Sequence, residues 1–219
     1  MLKKIPFLIT FFIHLILLTD GFCDTTEVFN SPVDKKNEIH LNAVMKKIQS
    51  KKIIIADFKQ IKKMVVLHKP LLSSGKFIFI DSKGICWQTE KPFKVSFVIT
   101  KQKMIQIEKG KVTLDISMDK QPLIHGMTNV FKSMFNGNLK ELKKHFSLFY
   151  KFEKNKWTLG LKPKKNKMKR FFKSIVLQGE LYIDNVMILE QNTDITTIEF
   201  NNHKNPKKLT TSELSVFEK

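Results

Sequence analysis

The spacing of hydrophobic residues changes once along the chain, a short distance from the N-terminus. Between residues 41 and 48 the apolar side chains recur every three or four positions, at Leu41, Val44, Met45 and Ile48. This spacing places them on one face and predicts an amphipathic helix. From Ile53 onward the period becomes two, which predicts β-strands that bury one face.

Apolar or alternating runs then follow one another at short intervals, separated by turn signals such as Asp184-Asn185. They cover residues 53–67, 74–80, 84–89, 93–100, 104–108, 111–118, 146–153, 157–161, 175–183, 186–191 and 196–201. No helix alternates regularly with these runs, so neighbouring strands are predicted to pair antiparallel. The sequence therefore predicts a mainly β (α+β) fold, with an antiparallel sheet long enough to curl into a barrel.

Helical spacing returns between residues 120 and 145. Asp119 is expected to cap this helix, and Gly137 to follow its end. Its apolar stripe consists of Leu123, Met127, Val130, Phe131 and Met134. A short helix over 139–145 follows, and the lysine-rich residues 164–172 fit either a short basic helix or an exposed loop. The apolar helices are expected to lie across the open face of the sheet.

The N-terminus has the composition of a secretory signal peptide. Lys3 and Lys4 precede an apolar run over 5–18, so residues 1–23 are predicted to be the signal, with an uncleaved membrane anchor as the alternative. The polar residues 24–37 are predicted to form a flexible segment, followed by one domain over 38–219. Cleavage near Cys23 leaves Cys86 as the only cysteine, which excludes an intramolecular disulfide and predicts a small buried side chain.

The charge balance is strongly basic, with 39 lysines and arginines against 20 acidic residues and a formal net charge of +19. Nucleic acid is nevertheless not the predicted partner. Arg170 is the only arginine, whereas base readout and phosphate clamps favour arginine, and the lysines are spread along the chain. The charge instead indicates a solvated surface covered with lysines.

Sequence motifs for catalysis, metal binding or nucleotide binding are absent. The six histidines are isolated, and no nucleophile elbow, zinc-protease helix or phosphate loop occurs. Catalytic residues, metal ligands and cofactors are therefore predicted to be none. Methionine and aromatic residues are abundant, and strands such as 74–80 are apolar on both faces. This excess of apolar surface predicts a protein that binds an apolar ligand rather than an enzyme.

Several short motifs resemble the LolA-type periplasmic lipoprotein carriers in their order. They are Phe58-Lys59-Gln60, the run Pro70-Leu71-Leu72-Ser73-Ser74-Gly75, Gly84 with Trp87, the pair Pro92-Phe93, the strand from Trp157 to Pro163, and a terminal alternation from Asp194 to Asn202. The similarity covers residues 38–217. The resemblance implies an incomplete antiparallel barrel of about 10–11 strands, closed by a helical lid over a hydrophobic cavity.

The resemblance also implies a function in the periplasm. The cavity of such a carrier holds the acyl chains of a lipoprotein, or of a related lipid, in transit from an inner-membrane exporter to an outer-membrane acceptor, and the protein is expected to be a monomer. The predicted cavity and lid residues are Phe58, Phe77, Phe79, Trp87, Phe93, Phe97, Leu114, Met118, Leu123, Met127, Phe131 and Met134. LolA itself latches its lid with an arginine on an early strand, whereas residues 79–84 here contain none.

A second interpretation stays open from the sequence. A basic exported β domain could dock on anionic envelope surfaces through its lysines and carry no lipid. Because such docking is electrostatic, high salt is expected to abolish it, whereas binding in an apolar cavity would persist.

Overall fold

The computed structural model describes residues 25–218, apart from the side chains of residues 25–26 and 122–124. The predicted signal peptide, residues 1–23 with Cys23, lies outside the described residues. No helix among those described is both long and apolar enough to cross a membrane.

One antiparallel sheet of eleven strands dominates the structure. The strands are β1 (Ile53–Lys63), β2 (Leu71–Ile80), β3 (Gly84–Lys91), β4 (Val95–Thr100), β5 (Lys103–Glu108), β6 (Lys111–Ser117), β7 (Phe146–Glu153), β8 (Lys156–Pro163), β9 (Phe172–Gly179), β10 (Asn185–Glu190) and β11 (Ile195–Lys204). Their order is β6-β5-β4-β3-β2-β1-β11-β10-β9-β8-β7. The sheet is not closed, because β6 and β7 are its two edges. This confirms the predicted mainly β fold and its incomplete barrel.

Antiparallel pairing places alternate connections at opposite ends of the sheet. We call one the β1–β2 end; it carries the β1–β2, β3–β4, β5–β6, β8–β9 and β10–β11 connections. The opposite end, which we call the β2–β3 end, carries the β2–β3, β4–β5, β7–β8 and β9–β10 connections.

Helices occupy the gaps in this sheet sequence. They are α1 (Lys35–Gln49), α2 (Pro122–Phe135), α3 (Leu139–His145), α4 (Asn166–Lys169) and α5 (Thr211–Ser215). The α1 helix begins with a reciprocal cap between Asp34 and Asn37 and buries all four of the predicted apolar positions. The prediction that Asp119 caps α2 was wrong. Asp119 lies in a preceding 3-10 helix (Met118–Lys120), and the N-cap residue of α2 is Gln121.

Both faces of the sheet bury apolar side chains, and each has its own cover. The concave face, which includes Phe77 and Phe79, packs against α1 and α2. The convex face, with Ile78 and Ile80, packs with Cys86 against Phe217 and the rest of the C-terminal segment. The surplus of apolar surface in β2 is therefore explained by a second core, not by a ligand.

Regular structure begins before α1, within residues 24–37, where a flexible segment was expected. Thr25–Asn30 forms a 3-10 helix, and Val28 is buried beside β8. The backbone continues alongside β7, where Val33 donates to the Leu148 carbonyl at 3.0 Å. The polar, aperiodic sequence of this segment did not predict its packing. The packing depends on backbone hydrogen bonds and a few apolar side chains, which leave no periodic pattern.

Candidate functional site

The candidate site is the concave face of the sheet together with the helices that cover it. Aromatic side chains from four strands meet there because residues of the same parity point to the same face. The ring centroids of Phe58 and Trp87 are 4.1 Å apart, and those of Phe77 and Phe200 are 5.1 Å apart. These strands therefore provide an aromatic floor with little polarity.

The α2 helix places one phenyl ring at the centre of this floor. The Phe135 centroid lies 4.5 Å from that of Phe77, 5.6 Å from that of Phe200 and 6.3 Å from that of Phe79. Phe131, one helical turn earlier, is 5.3 Å from Phe135. Rings at these separations interact favourably beyond the apolar area they bury. Phe135 therefore joins the lid to three aromatic rings of the sheet.

The turn after α2 fixes this helix against α1. Gly137 has a φ of +64°, and a Cβ atom built at this position would lie 2.4 Å from the Met45 carbonyl oxygen. Only glycine satisfies both the left-handed backbone and this close approach. The two lid helices consequently meet backbone to backbone, with Met45 and Ile48 of α1 buried on the same concave face as α2.

In the described part of the structure, the two voids found beneath the lid are small, where an open hydrophobic cavity was expected. A void of about 10 Å³ lies between Phe135 and the sheet, and another of about 70 Å³ lies between α2 and the β2–β3 and β4–β5 connections. Pockets for ligands of drug size have roughly 300–1,000 Å³. Side chains of α1 and α2 occupy the volume in which an acyl chain was expected.

The structure places the predicted site residues at different depths. Phe58, Phe77, Phe79 and Met134 are buried in the concave core. Trp87, Met127 and Phe131 are half-buried against the same core. Further along the sheet, Phe97 pairs with Trp87 across β3 and β4, and the half-exposed Leu114 lies on β6. A ligand-binding role for these residues stays a prediction.

Three predicted residues lie elsewhere or are not described. Phe93 lies in the β3–β4 connection rather than in a strand, with 62% of its side chain exposed, so it does not line the concave core. Met118 is buried in the 3-10 helix before α2. Leu123 lies in the first turn of α2, and its side chain is outside the described set.

Sequence reasoning missed Phe135 and the contribution of α1. Phe135 follows Phe131 by four residues, so it continues the apolar stripe of the helix. The predicted stripe ended one residue earlier, at Met134. The four buried residues of α1 were identified, but not the fact that their volume, added to that of α2, fills the concave face.

Buried polar groups interrupt the concave face at the β1–β2 end. The Lys62 ammonium donates to Glu190 at 2.7 Å, and both side chains are largely buried. Thr196 also donates to Glu190, at 3.3 Å. The buried hydroxyls of Ser73 and Thr89 have no hydrogen-bond partner among the described residues. This end of the face therefore offers polar contacts beside the apolar floor.

At the β2–β3 end, His203 packs against the β9–β10 connection. His203 contacts the Ile183 carbonyl at 3.0 Å and stacks on Tyr182 with ring centroids 4.6 Å apart. Burial lowers the pKa of His203, against the opposing effects of the Ile183 carbonyl and the Asp184 carboxylate. Burial also raises the pKa of Asp184.

The lid also carries a lysine near the β2–β3 connection. Lys132 of α2 lines the larger void, and burial is the main cause that lowers its pKa. The Asp81 carboxylate acts in the opposite direction by attracting the Lys132 ammonium, while Lys101 repels it. Asp81 lies in residues 79–84, where the resemblance led us to look for a latch arginine. The ion-pair partner of Asp81 is Lys52, at 3.3 Å.

Reactive groups do not converge at this site. The described residues contain no group of three or more histidine, cysteine, aspartate or glutamate side chains able to hold a metal ion. Cys86 is buried on the convex face, as predicted, and burial raises the pKa of its thiol to about 12. The thiolate needed for nucleophilic chemistry is therefore disfavoured at neutral pH.

Comparison with known families agrees with the motif resemblance. The family model described as "Outer membrane lipoprotein carrier protein LolA-like" matches residues 34–190, more than half of the chain. The chain belongs to the LolA-like family. A search of curated proteins finds no match.

Solved structures similar to this LolA-like chain share little sequence with it. A LolA superfamily protein from Nitrosomonas europaea is 7% identical, with a TM-score of 0.45, over 78% of this chain and 96% of that one. A DUF1329 family protein from Desulfovibrio piger is 12% identical, with a TM-score of 0.46, over 83% and 96%. LprF from Mycobacterium bovis is 9% identical, with a TM-score of 0.37, over 83% and 98%.

Proposed function

We propose that this protein is a periplasmic carrier that sequesters acyl chains of lipoproteins or related lipids on its concave face. In this proposal an inner-membrane exporter loads the acyl chain onto the carrier, and an outer-membrane acceptor receives the acyl chain from it. The carrier works as a monomer without a cofactor, and residues 1–23 direct its export. Membership of the LolA-like family supports this proposal.

The observation that carries the proposal is the aromatic floor covered by helices. Phe135 occupies the floor in the closed structure, in contact with Phe77 and Phe200. We infer that an acyl chain replaces this ring when the lid opens. Each methylene removed from water contributes about 0.8 kcal/mol, so a sixteen-carbon chain gains on the order of 12 kcal/mol. That gain is large enough to compete with the contacts of the lid.

A lid that competes with its cargo also provides a route to release. The free energy of lid closure is subtracted from the affinity for the acyl chain, so the complex is weaker than the buried area alone indicates. Transfer to an acceptor that does not have to open a lid is then favourable. The filled interior is the closed, unloaded state in this mechanism.

The filled interior also favours a second candidate function. A protein with a solid core and a basic surface could dock on anionic envelope surfaces and carry no lipid. The two functions differ in one measurable respect, because only the carrier binds an acyl chain stoichiometrically at high salt.

Native mass spectrometry of the protein purified from its own envelope tests the proposal directly. We expect a co-purifying acylated lipid, and its absence together with no binding of a fluorescent fatty acid contradicts the carrier function. The Phe97→Glu variant introduces a charge at a half-buried position on the concave face and is expected to weaken fatty-acid binding. Leu181→Glu is the matched control, because Leu181 is 60% exposed at the β2–β3 end. Equal binding by both variants would argue against the concave site.

A further inference from the structure

The β1–β2 end of the sheet exposes apolar side chains on two neighbouring connections. In the β1–β2 connection Val65 is 71% exposed, Val66 80% and Leu67 42%; in the β3–β4 connection Phe93 is 62% exposed. These four are half of the eight large hydrophobic side chains that are exposed in the described part of the chain. The two connections are separated by two strand spacings, about 10 Å, so their tips lie side by side.

The exposed tip of the β1–β2 connection is held in place by hydrogen bonds. The Val65 amide donates to the Asp194 carboxylate at 3.0 Å, which joins this connection to the β10–β11 turn. The Leu67 amide donates to the Met64 carbonyl at 3.1 Å. Two backbone amides of the tip are therefore hydrogen-bonded, while the Val65 and Val66 side chains face solvent. Exposing them costs free energy that a water-soluble surface would normally avoid, which indicates an apolar partner.

Positive charge surrounds the same tips. Exposed lysines flank them at Lys69, Lys91, Lys94, Lys109 and Lys111. The β8–β9 connection adds residues 164–170, which contain four lysines, one arginine and no carboxylate. This end carries four carboxylates among the described residues: Glu190, paired with Lys62, Asp194, hydrogen-bonded to Val65, and Glu90 and Glu108 at the ends of β3 and β5. They are fewer than the five flanking lysines and the five cations of residues 164–170. The charge of this end is therefore strongly positive and incompletely neutralised.

The opposite end differs in both respects. Its connections interleave lysines with acidic residues, such as Asp81, Glu180 and Asp184. Two large hydrophobic side chains are exposed there among the described residues: Leu181, at 60%, and Phe152, at 46%, which lies beside Glu153 at the end of β7. The combination of apolar tips with an excess of lysine is thus confined to the β1–β2 end.

We propose that the β1–β2 end docks on an anionic bilayer surface. Val65, Val66 and Phe93 enter the interface between the headgroups, and the surrounding lysines contact lipid phosphates. Apolar side chains and lysines acting together are the composition of surfaces that bind membranes reversibly. Docking at this end holds whether or not the protein carries a lipid, so its test is independent of the proposed carrier function.

Vesicle flotation measures this docking. The protein used is the form purified from its own host cells. The vesicles consist of phosphatidylcholine alone, or of equal amounts of phosphatidylcholine and phosphatidylglycerol. We expect binding to the anionic vesicles and little binding to the neutral ones. Raising NaCl from about 0.1 M to about 1 M shortens the screening length from ~10 to ~3 Å and is expected to weaken binding.

Variants separate the apolar contribution from the charge. Val66→Asp combined with Phe93→Asp is expected to weaken binding to anionic vesicles by at least about tenfold. Leu181→Asp is the matched control and is expected to bind as the native protein does. Lys69→Gln and Lys94→Gln are each expected to weaken binding about fivefold.

A fluorescence variant keeps the test valid if a charged variant folds poorly. Val66→Trp is expected to shift its emission to the blue on anionic vesicles, whereas Leu181→Trp is not. If the native protein does not float with anionic vesicles, the membrane proposal is overturned and a protein partner for this end takes its place. Equal emission shifts at the two tryptophans would overturn it as well, because the docked end would then not be the one proposed.

Discussion

Removing the Phe135 ring tests whether the lid competes with the cargo. Phe135 is 3% exposed, and its ring contacts those of Phe77, Phe131 and Phe200 at centroid distances of 4.5, 5.3 and 5.6 Å. Truncating a buried phenylalanine to alanine costs about 3–5 kcal/mol. We expect Phe135→Ala to lower the free energy of unfolding by that amount, measured by urea denaturation.

The same substitution is expected to raise affinity for an acyl chain. If lid opening is separate from global unfolding, the lost contacts destabilise mainly the closed state. Each 1.4 kcal/mol taken from closure then raises the apparent affinity about tenfold. Titration with a fluorescent fatty acid measures this change. An increase of at least about tenfold is expected, after allowing for contacts that the ring also makes to the cargo.

The control for this prediction is a phenylalanine outside the lid. Phe146 begins β7, is 0% exposed and belongs to the same concave core. Phe146→Ala is expected to lose comparable stability without a gain in affinity. A folded Phe135→Ala protein whose affinity is unchanged or reduced would refute the competition between lid and cargo.

Three further predictions concern the lid turn, the buried ion pair and the histidine at the β2–β3 end. Gly137→Ala is expected to destabilise the protein in a thermal melt by at least about 1 kcal/mol, because the new Cβ clashes with a backbone oxygen at a left-handed position; an unchanged melting temperature would contradict the close approach of α2 to α1. Glu190→Gln leaves Lys62 buried without its counter-charge, and a loss of about 3–5 kcal/mol is expected in urea denaturation; an exposed pair would lose less than about 1 kcal/mol. The folded-state pKa of His203 lies below its unfolded value of 6.5, so the unfolded chain binds more protons as pH falls through 6.5 and stability decreases. Melting temperatures compared above and below pH 6.5 are expected to show this decrease, and His203→Gln to reduce it, whereas an unchanged pH profile in the variant would assign the effect to another group.

The period of the hydrophobic pattern predicted the strands and helices well because it depends only on local geometry. Alternation identified β6, with Leu114, and β4, with Phe97, and the spacing of three and four residues identified α1 and α2. Both signals follow from the directions in which successive side chains point. The order of short motifs then indicated the unclosed sheet.

Packing across elements could not be predicted in the same way. The pattern gave the apolar faces of α1 and α2 but not the volume they occupy together, so the filled concave face was missed. It also gave no sign that Phe217 and the C-terminal segment cover Ile78 and Ile80. Phe93 was misplaced for a related reason. It continues the alternation of Val95, Phe97 and Ile99, but alternation alone does not show whether β4 begins at residue 93 or at residue 95.

The connection that forms the lid also joins the two free borders of the sheet. Residues 118–145 run from the end of β6 to the start of β7, and these strands are not hydrogen-bonded to each other. A change in the curvature of the sheet therefore alters the span that α2 and α3 must bridge. In the proposed carrier, binding of a bulky ligand would therefore be coupled to flattening of the sheet. A substitution at the end of β6 or the start of β7 would then alter how far the two edges of the sheet can separate.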